Sequence, residues 1–502
     1  MRARSGATCC PGGLRLAKVG LFVAVVACGY WLCLAAPAAL LNFKADPREK
    51  DSPPLEVTFT ANAPASTTHW YWQFGDGGSG EGETTTHTYT SPGTYTVKLR
   101  VTLPLRDGGE RTITEVKPDY ITVGPREIYV GHTPGHDEDD SGPDRISVIN
   151  TLSDPAVVEL LDVDQDPFAF ALNGATAYLV CYRTNEETGS VFVIDTATNT
   201  FLTEEPLSVG RCPRAIAITG SKAYVANYGS DTVTVINLNE NRVETDIAVG
   251  HNPGRGPKGI AIGKNRAFVA NYGDGSVTVI NTITDRPVGD PIPVGVNPRE
   301  ILISGNRAWV VCENRNYEGE PGSVWVIDTK ELEVVEGGEI VVGQHPRDIA
   351  ISEKRAFVVC QGSYDDDVTG AVYVINTRTL EVIRSTSVGS GPALPIPVGV
   401  HPRRILINGN RAYVVNHGNF VGSEYSGPSI GTVSVINIRT CKTIRDDPIE
   451  VGLGPEELAI SGDKVYVADA EGDTISVIDT KTNSLWGTIT VAPAPTRIIA
   501  VP

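Results

Sequence analysis

The sequence contains a single methionine among 502 residues, against 52 glycines and 34 prolines. Glycine and proline favour turns and interrupt long helices, so this composition predicts an all-β fold with many short strands. The chain beyond its N-terminal segment also lacks any run of lysine or arginine, and the formal net charge is −18. Because such a charge repels phosphate backbones at long range, we expect no nucleic acid partner.

Sequence motifs of common catalytic and metal sites are missing as well. No CxxC, CxxCH or HExxH occurs, so the usual signals of a redox pair, a zinc ribbon, c-type haem and a zinc protease are absent. Of the 9 cysteines, five lie beyond the first 41 residues. An odd number cannot all pair in disulfides, so at least one of these thiols is expected to be free.

The first 41 residues differ from the rest of the chain. Four basic residues precede an uncharged stretch from Val19 to Leu41, which is long enough to cross a bilayer as a helix. We interpret it either as a signal peptide cleaved after residues 36–38 or as an uncleaved anchor with its basic flank inside. Lipoprotein-type processing at Cys28 is a third interpretation. Each predicts that the rest of the chain lies outside the cell, anchored to the membrane or secreted.

Residues 42–54 are polar and proline-rich, which predicts a linker. Residues 55–124 then alternate apolar and polar side chains in four segments, the pattern of strands with one buried face. Within them, WQFGDG at 72–77 and HTYTSPGTYTVKL at 87–99 resemble the two signature segments of a polycystic kidney disease (PKD) domain. The resemblance implies an immunoglobulin-like β-sandwich that serves surface proteins as a spacer or adhesion module.

From residue 126 to residue 502 one pattern recurs. The word V-x-V-I-[N/D] or a close variant occurs eight times, and its copies end at Asn150, Asp195, Asn237, Asn281, Asp328, Asn376, Asn437 and Asp479. Each copy follows a second apolar strand, and most are preceded by a third word, P-x-x-I/L. Four short strands repeated about every 45 residues indicate a β-propeller, with eight blades counted and seven as the alternative. An unmatched P-x-x-I word at Pro495–Val501 predicts that the C-terminal strand closes the first blade.

The words YVANYGSDTVTVIN at 224–237 and FVANYGDGSVTVIN at 268–281 resemble the YVTN-type propeller repeat of archaeal surface-layer proteins, in which propellers and PKD domains occur together. The resemblance implies a non-enzymatic surface-layer or adhesion-type binding protein. Its expected partners are envelope polymers, glycans or surface proteins, including further copies of the chain in a lattice. An extracytoplasmic propeller enzyme of lactonase or dehydrogenase type is the alternative.

Comparison of the repeats assigns roles to several polar side chains. The Asn or Asp that closes each V-x-V-I word is expected to accept hydrogen bonds from the following turn. Cys181, Cys312 and Cys360 stand where sister repeats have asparagine. Equivalent positions in different blades are too far apart for a disulfide, so we predict that these three thiols are not linked to one another.

Two sets of side chains are candidate binding residues. The first, the basic collar, follows the proline that opens each innermost strand, and it consists of Arg214, Lys258, Arg299, Arg347 and Arg403. These side chains should surround one mouth of the central channel and suit an acidic glycan or another carboxylate, unless each cation pairs locally. The second, the rim, lies on the variable loops between second and third strands, which emerge on the same face. It consists of Tyr182, Tyr317, Tyr364, Phe420 and Tyr425.

A metal site is predicted only weakly. The loop from His132 to Asp144 concentrates side chains that Ca²⁺ accepts, but it lacks the spacing and the glycine of known calcium loops. Its candidate ligands are His132, His136, Asp137, Glu138, Asp139 and Asp140. Three further histidines lie where the chain enters an innermost strand, too few for a copper or iron centre. They are His251, His345 and His401.

Overall fold

The computed structural model describes residues 41–50, 55–89, 93–105, 107–123, 127–133, 144–151, 158–163, 166–182, 188–250, 255–314, 319–352, 354–362, 369–383, 395–418 and 430–501. Within these ranges the regular elements are all β-strands, as the composition predicted. No helix in this part of the chain is long and apolar enough to cross a membrane. The predicted membrane segment lies, apart from Leu41, outside the described residues.

The N-terminal domain is a sandwich of two sheets. Its strands are β1 (Asn42–Asp46), β2 (Glu49–Lys50), β3 (Leu55–Asn62), β4 (His69–Gln73), β5 (Ser79–Glu81), β6 (Thr84–Tyr89), β7 (Gly93–Pro104) and β8 (Glu110–Val123). One sheet has the order β1-β3-β6 and the other β2-β8-β7-β4-β5. Trp72 and Phe74 are buried between the sheets, while Asp76 accepts a hydrogen bond from the N–H of Gly78 at 2.9 Å and so stabilises the turn after β4.

The predicted linker at 42–54 is wrong at its N-terminal end. Asn42–Asp46 form β1, which pairs with β3 and belongs to the sandwich. The segment forms a strand because apolar and polar residues alternate in it, and the apolar side chains of Leu41 and Phe43 are buried in the core. The Phe43 ring meets that of Trp72 edge to face, with 5.2 Å between centroids. Apolar residues at every second position therefore outweigh the overall polarity of the segment.

From Glu127 onward, the described residues form eight antiparallel sheets, numbered here first to eighth in chain order. The innermost strands are Pro495–Val501, Pro167–Asn173, Pro213–Thr219, Pro257–Gly263, Pro298–Ser304, Pro346–Ser352, Pro402–Asn408 and Pro455–Ser461. The second strands are Glu127–His132, Thr176–Cys181, Lys222–Asn227, Arg266–Asn271, Arg307–Cys312, Arg355–Cys360, Arg411–Asn416 and Lys464–Asp469. The third strands are Asp144–Asn150, Gly189–Asp195, Thr232–Asn237, Ser276–Asn281, Ser323–Asp328, Thr369–Asn376, Ile430–Asn437 and Thr474–Asp479.

The outer strands vary more in length, from two to nine residues, and are less regular. They are Val158–Val163, Thr200–Phe201 with Leu207–Val209, Arg242–Ala248, Arg286–Pro287 with Ile292–Pro293, Glu333–Val341, Ile396–Val400, Lys442–Thr443 with Ile449–Leu453, and Ser484–Thr490. In three sheets the outer strand is split into two pieces that pair with the same third strand. Irregularity is tolerated at this position because an edge strand carries fewer pairing constraints than a central one.

The sheets follow one another around a closed ring. Each innermost strand contacts the innermost strand of the next sheet, and that of the eighth sheet contacts that of the first. The strand Pro495–Val501 pairs antiparallel with Glu127–His132, so the C-terminus supplies the innermost strand of the first sheet. The predicted closure by the C-terminal strand is present in the structure.

Apolar cores lie between neighbouring sheets. One cluster joins Tyr224 and Val233 of the third sheet to Val269 and Ile280 of the fourth, and equivalent clusters occupy the other interfaces. A further cluster joins Ile128 of the first sheet to residues of the eighth, where the ring closes. Second and third strands are covered on both faces, which explains why they consist of near-continuous Val and Ile runs.

Polar contacts also link each sheet to the next, on the face of the propeller opposite the one where the innermost strands begin. Asn237 Oδ1 accepts hydrogen bonds from the N–H groups of Asn239 and Glu240, the predicted role of the residue that closes the V-x-V-I word. The turn of the following sheet is held by the sheet before it. Tyr224 Oη donates to Asp285 Oδ1 at 2.6 Å, and the Arg266 guanidinium donates to main-chain carbonyls of the fifth-sheet turn.

The last residue of each second strand occupies a buried slot. The eight occupants are His132, Cys181, Asn227, Asn271, Cys312, Cys360, Asn416 and Asp469. Asn227 Nδ2 donates to the hydroxyls of Thr232 and Thr234, whereas Asp469 accepts from those of Thr474 and Ser476. The three cysteines of this set are free thiols in the structure, each in a different sheet.

Replacing Asp469 by the asparagine of its sister sheets is expected to stabilise the protein at neutral pH. Burial raises the pKa of Asp469 to about 7. In the unfolded chain the carboxyl ionises near pH 4, so the free energy of unfolding falls as the pH rises from about 4 to about 7 and stays low above it. Urea unfolding of Asp469→Asn should show a gain of about 2 kcal/mol at pH 8 and little change at pH 4.

The matched control for this prediction is Asp479→Asn. Asp479 is half-buried, and hydrogen bonds from the N–H groups of Thr482 and Lys481 hold its pKa below the ordinary value. Its substitution should therefore lower stability at neutral pH, opposite in sign to that at Asp469. If wild type and Asp469→Asn have equal free energies of unfolding at pH 8 as well as at pH 4, the pKa of Asp469 is not raised by burial.

Candidate ligand-binding mouth of the propeller

All eight innermost strands begin with the same local geometry. In seven sheets the residue before the opening proline has a positive φ between 46° and 56°. In all eight its carbonyl accepts a hydrogen bond from the N–H of the residue that follows the second strand, as Cys212 does from Tyr228. The loops into the innermost strands and out of the second strands therefore meet on one face, which we call the mouth.

A β-bulge follows each of these prolines. The register shifts between Pro213 and Ala215, for example, and at the equivalent place in the other seven sheets. A bulge leaves one residue unpaired and redirects its side chain. The eight bulge residues are Thr496, Phe168, Arg214, Lys258, Arg299, Arg347, Arg403 and Glu456. The structure thus places all five predicted collar residues at equivalent positions around the mouth.

A buried carboxylate neutralises one part of the collar. Glu313, fully buried, directly follows the second strand of the fifth sheet. Its Oε1 accepts from Arg299 and from Arg347, each at 2.7 Å, and its Oε2 accepts from the phenol of Tyr272 at 3.0 Å. Arg347 is itself buried, and its Nε donates to Gln361 Oε1 at 2.6 Å. These two arginines are therefore held in the wall by Glu313.

Arg403 is also compensated, by the acidic bulge residue of the next sheet. Its guanidinium lies 3.5 Å from Glu456 Oε1. His417 lies at the same distance from that oxygen. Burial and the Arg403 charge lower the pKa of His417 to about 4, so this imidazole is neutral at physiological pH. The negative charge of Glu456 therefore compensates the positive charge of Arg403.

Arg214 and Lys258 are held by aromatic rings instead. The Arg214 guanidinium lies 4.5 Å from the ring centroid of Phe168, 4.7 Å from that of Tyr182 and 5.5 Å from that of Tyr228. Lys258 Nζ lies 4.0 Å from the ring centroid of Tyr272 and 3.9 Å from Glu313 Oε2. Cation–π contacts of this kind orient a cation without cancelling its charge.

An ion-pair network crosses the channel one residue deeper. Arg404 of the seventh sheet lies 3.6 Å from Glu300 of the fifth and 3.5 Å from Glu457 of the eighth. Arg497 of the first sheet approaches Glu457 at 4.0 Å. The channel around these groups contains a cavity of ≈ 280 Å³, whose walls include Arg214, Lys258 and Arg299.

The remaining predicted site residues divide by position. Tyr182 lies beside the collar at Arg214, whereas the other four rim residues, Tyr317, Tyr364, Phe420 and Tyr425, fall outside the described residues. Of the weak metal set, only His132 is described; its Nε2 contacts Ser147 Oγ at 2.7 Å and its Nδ1 contacts the Pro493 carbonyl at 3.0 Å. His136, Asp137, Glu138, Asp139 and Asp140 lie outside the described ranges, as does His251.

The described residues contain no cluster of three or more His, Cys, Asp or Glu side chains arranged to hold a metal ion. His345 and His401 are the positive-φ residues before their prolines and are buried. Sequence reasoning missed the residues that surround the collar, namely Phe168, Tyr228, Tyr272, Glu313, Gln361 and His417. Five of these six directly follow a second strand, a position that the repeat alignment could have identified.

Comparisons with known proteins bear on both the N-terminal domain and the ring of sheets. Residues 34–123 match the sequence model of the PKD domain. No curated protein sequence matches the chain significantly. Among solved structures, dihydro-haem d1 dehydrogenase NirN in complex with DHE is 13% identical, with a TM-score of 0.53 and coverage of 74% of each chain.

Apo AztD from Citrobacter koseri is likewise 13% identical, with a TM-score of 0.50 and coverage of 75% of this chain and 98% of that chain. The Dos1 propeller is 11% identical, with a TM-score of 0.48 and coverage of 66% and 86%. At identities this low, the likenesses to NirN and AztD support the fold alone. The chain thus combines a PKD domain with a β-propeller.

Proposed function

We propose that this protein is a non-enzymatic binding protein, displayed outside the cell, that takes an acidic glycan at the mouth of its propeller. The observation that carries the proposal is the bulge at the start of every innermost strand. It places five cationic side chains, Arg214, Lys258, Arg299, Arg347 and Arg403, around one opening, and the first three of them line a cavity of ≈ 280 Å³. A concave site with convergent cations suits an anionic group of about the size of one sugar residue.

The overall charge narrows the class of ligand. With a formal net charge of −18, the molecule repels a dense polyanion before it reaches the mouth. A glycan that carries isolated carboxylates on an otherwise neutral chain meets less repulsion and still presents a planar anion to a guanidinium. Such polymers are common components of cell envelopes, which agrees with a PKD domain as a spacer at the surface.

We also infer a finer architecture. The eight sheets are taken as eight blades of one ring, and their repeat is assigned to the YVTN type on the words at 224–237 and 268–281. The N-terminal segment would direct the chain across the membrane and hold it at the envelope. Envelope polymers, surface proteins or further copies of the chain are its proposed partners.

The test compares oligosaccharides with and without one acidic side group. Purified protein should bind xylo-oligosaccharides that carry one glucuronate side group at least tenfold more tightly than unsubstituted xylo-oligosaccharides, and binding should weaken in high salt. Titration calorimetry measures both. Electron microscopy of native envelopes, labelled for the protein, checks its position and distinguishes a lattice from single molecules. Equal affinities for the two sugars would exclude the acidic-glycan assignment, and label confined to the cytoplasm would exclude surface display.

A further inference from the structure

The five collar cations are not equivalent, and resting on the proposed function we infer that Arg214 and Lys258 alone form the carboxylate-binding subsite. The other three collar residues have carboxylates within the protein: Arg299 and Arg347 share the buried Glu313, and Arg403 faces Glu456. An incoming anion would have to compete with these fixed partners. In the sector of the third and fourth sheets the competition is weaker, because no described carboxylate pairs with Arg214 and Lys258 Nζ approaches Glu313 Oε2 only to 3.9 Å.

Arg214 is preorganised for an anion but has no carboxylate among the described residues. Three aromatic rings, of Phe168, Tyr182 and Tyr228, surround its guanidinium. Its Nε is buried and has no hydrogen-bond partner among the described residues, and the side chain lines the cavity of the channel. A guanidinium binds a carboxylate through two parallel N–H donors, and a caged one loses little rotamer freedom when it does so.

Lys258 adds a second cation beside the first. It lies at the equivalent position of the adjacent sheet, and the rings of Tyr228 and Tyr272 that flank the pair are 6.2 Å apart. Burial, followed by the nearby Arg299 charge, lowers the pKa of Lys258 to about 7, and Arg214 and Arg347 act in the same direction. Only Glu313 opposes them. A bound carboxylate would relieve this repulsion between neighbouring cations.

The same sector has room for a ligand. One residue deeper in the channel, the second, third and fourth sheets carry Ala169, Ala215 and Gly259, all of which line the cavity. The corresponding positions in the fifth, sixth and eighth sheets carry Glu300, Asp348 and Glu457. The arginines at this level, Arg404 and Arg497, are already engaged with two of these carboxylates. An anion is therefore favoured on the side with small uncharged residues and disfavoured on the side with carboxylates.

The aromatic residues favour a sugar over an acidic peptide. Tyr182 and Tyr228, both partly exposed beside Arg214, can offer ring surface to an apolar sugar face and phenol groups to its hydroxyls. A glutamate side chain would use the two cations and leave these groups without contacts. The subsite is accordingly assigned to the carboxylate of a uronic acid.

The experiment uses glucuronate and glucose as probes with the full chain. Glucuronate affinity should fall about 10- to 100-fold in Arg214→Gln, the loss of a charged hydrogen-bond pair, and several-fold in Lys258→Met. Wild-type affinity should also fall as the pH rises from 6 to 8, because Lys258 loses its proton there while the arginines that face it stay charged. In Lys258→Met this pH dependence should flatten.

Matched controls distinguish the loss of any positive charge from the loss of one at the proposed subsite. Arg145→Gln removes an exposed arginine paired with Asp162, and Lys464→Met removes a lysine that likewise lies on an aromatic ring, that of Trp486, away from the mouth. Both should bind glucuronate as wild type does, and thermal unfolding should show that all variants fold. If Arg403→Gln weakens binding more than Arg214→Gln, the subsite lies in the other sector and the inference is wrong while the proposed function stands.

Two other outcomes would overturn the assignment of the ligand or the proposed function. A peptide such as N-acetyl-glutamyl-alanine that binds more tightly than glucuronate would overturn the assignment to a uronic acid. Absence of binding by wild type to every carboxylate sugar would instead reject the proposed function itself.

Discussion

Replacing Glu313 by glutamine is expected to destabilise the propeller by about 3–5 kcal/mol, the usual cost of removing one partner from a buried ion pair. Arg347 is only 5% exposed, so without the carboxylate its charge would remain buried against Arg299. Tyr272 would also lose the acceptor of its phenol hydrogen. Urea unfolding at pH 7 measures the change in the free energy of unfolding.

Glu456→Gln is the matched control, because Glu456 also pairs with a collar arginine but is about one quarter exposed. Its substitution should cost about 1 kcal/mol or less. The double variant Glu313→Gln/Arg347→Gln should be more stable than Glu313→Gln alone, since it removes the orphaned charge. A single variant as stable as wild type would mean that water reaches Arg347 and that the ion pair is not buried.

Deleting all residues after Ala492 is expected to abolish cooperative folding of the propeller. The lost segment contains the innermost strand of the first sheet, whose Ile498 and Val501 are buried. Removing these two side chains alone forfeits about 3–6 kcal/mol of apolar burial, a large part of the roughly 5–15 kcal/mol that stabilises a typical protein. The deletion also exposes the edge of Glu127–His132, which favours aggregation.

Size-exclusion chromatography and thermal unfolding test this outcome. Deletion of Pro502 alone serves as the control and should behave as wild type, because the paired strand ends at Val501. Addition of a synthetic peptide of residues 493–502 to the truncated protein should restore part of the soluble, folded fraction. A truncated protein that melts like the full chain would show that the ring does not need its C-terminal strand.

Local sequence patterns were sufficient to predict most of the propeller. The V-x-V-I words, the turn residues that close them and the terminal P-x-x-I strand all report interactions between neighbouring strands, which repeat with the sequence. The collar positions were predictable for the same reason, since each follows a proline at a constant register. The strand Asn42–Asp46 was missed because its two-residue alternation is short and lies among prolines and charges.

The pairing of the collar could not be predicted from the repeat. Glu313 pairs with Arg299 of its own sheet and also with Arg347 of the next, 34 residues away. Whether one carboxylate reaches two arginines depends on the curvature of the ring and on the distance between neighbouring innermost strands. A sequence repeat gives the type of residue at each position, but the closeness of residues across sheets arises only when the ring closes.

The direction of the strand that leads from the PKD domain determines how the mouth is presented. Glu127 begins the second strand of the first sheet on the side of the turns, and His132 ends it at the mouth. Only residues 124–126 separate Val123 of β8 from Glu127, a span of at most about 14 Å. The chain therefore enters the propeller on the face opposite the mouth. Because it arrives from the N-terminal domain at that end of the first sheet, the short connection leaves the opening itself unobstructed at this sheet.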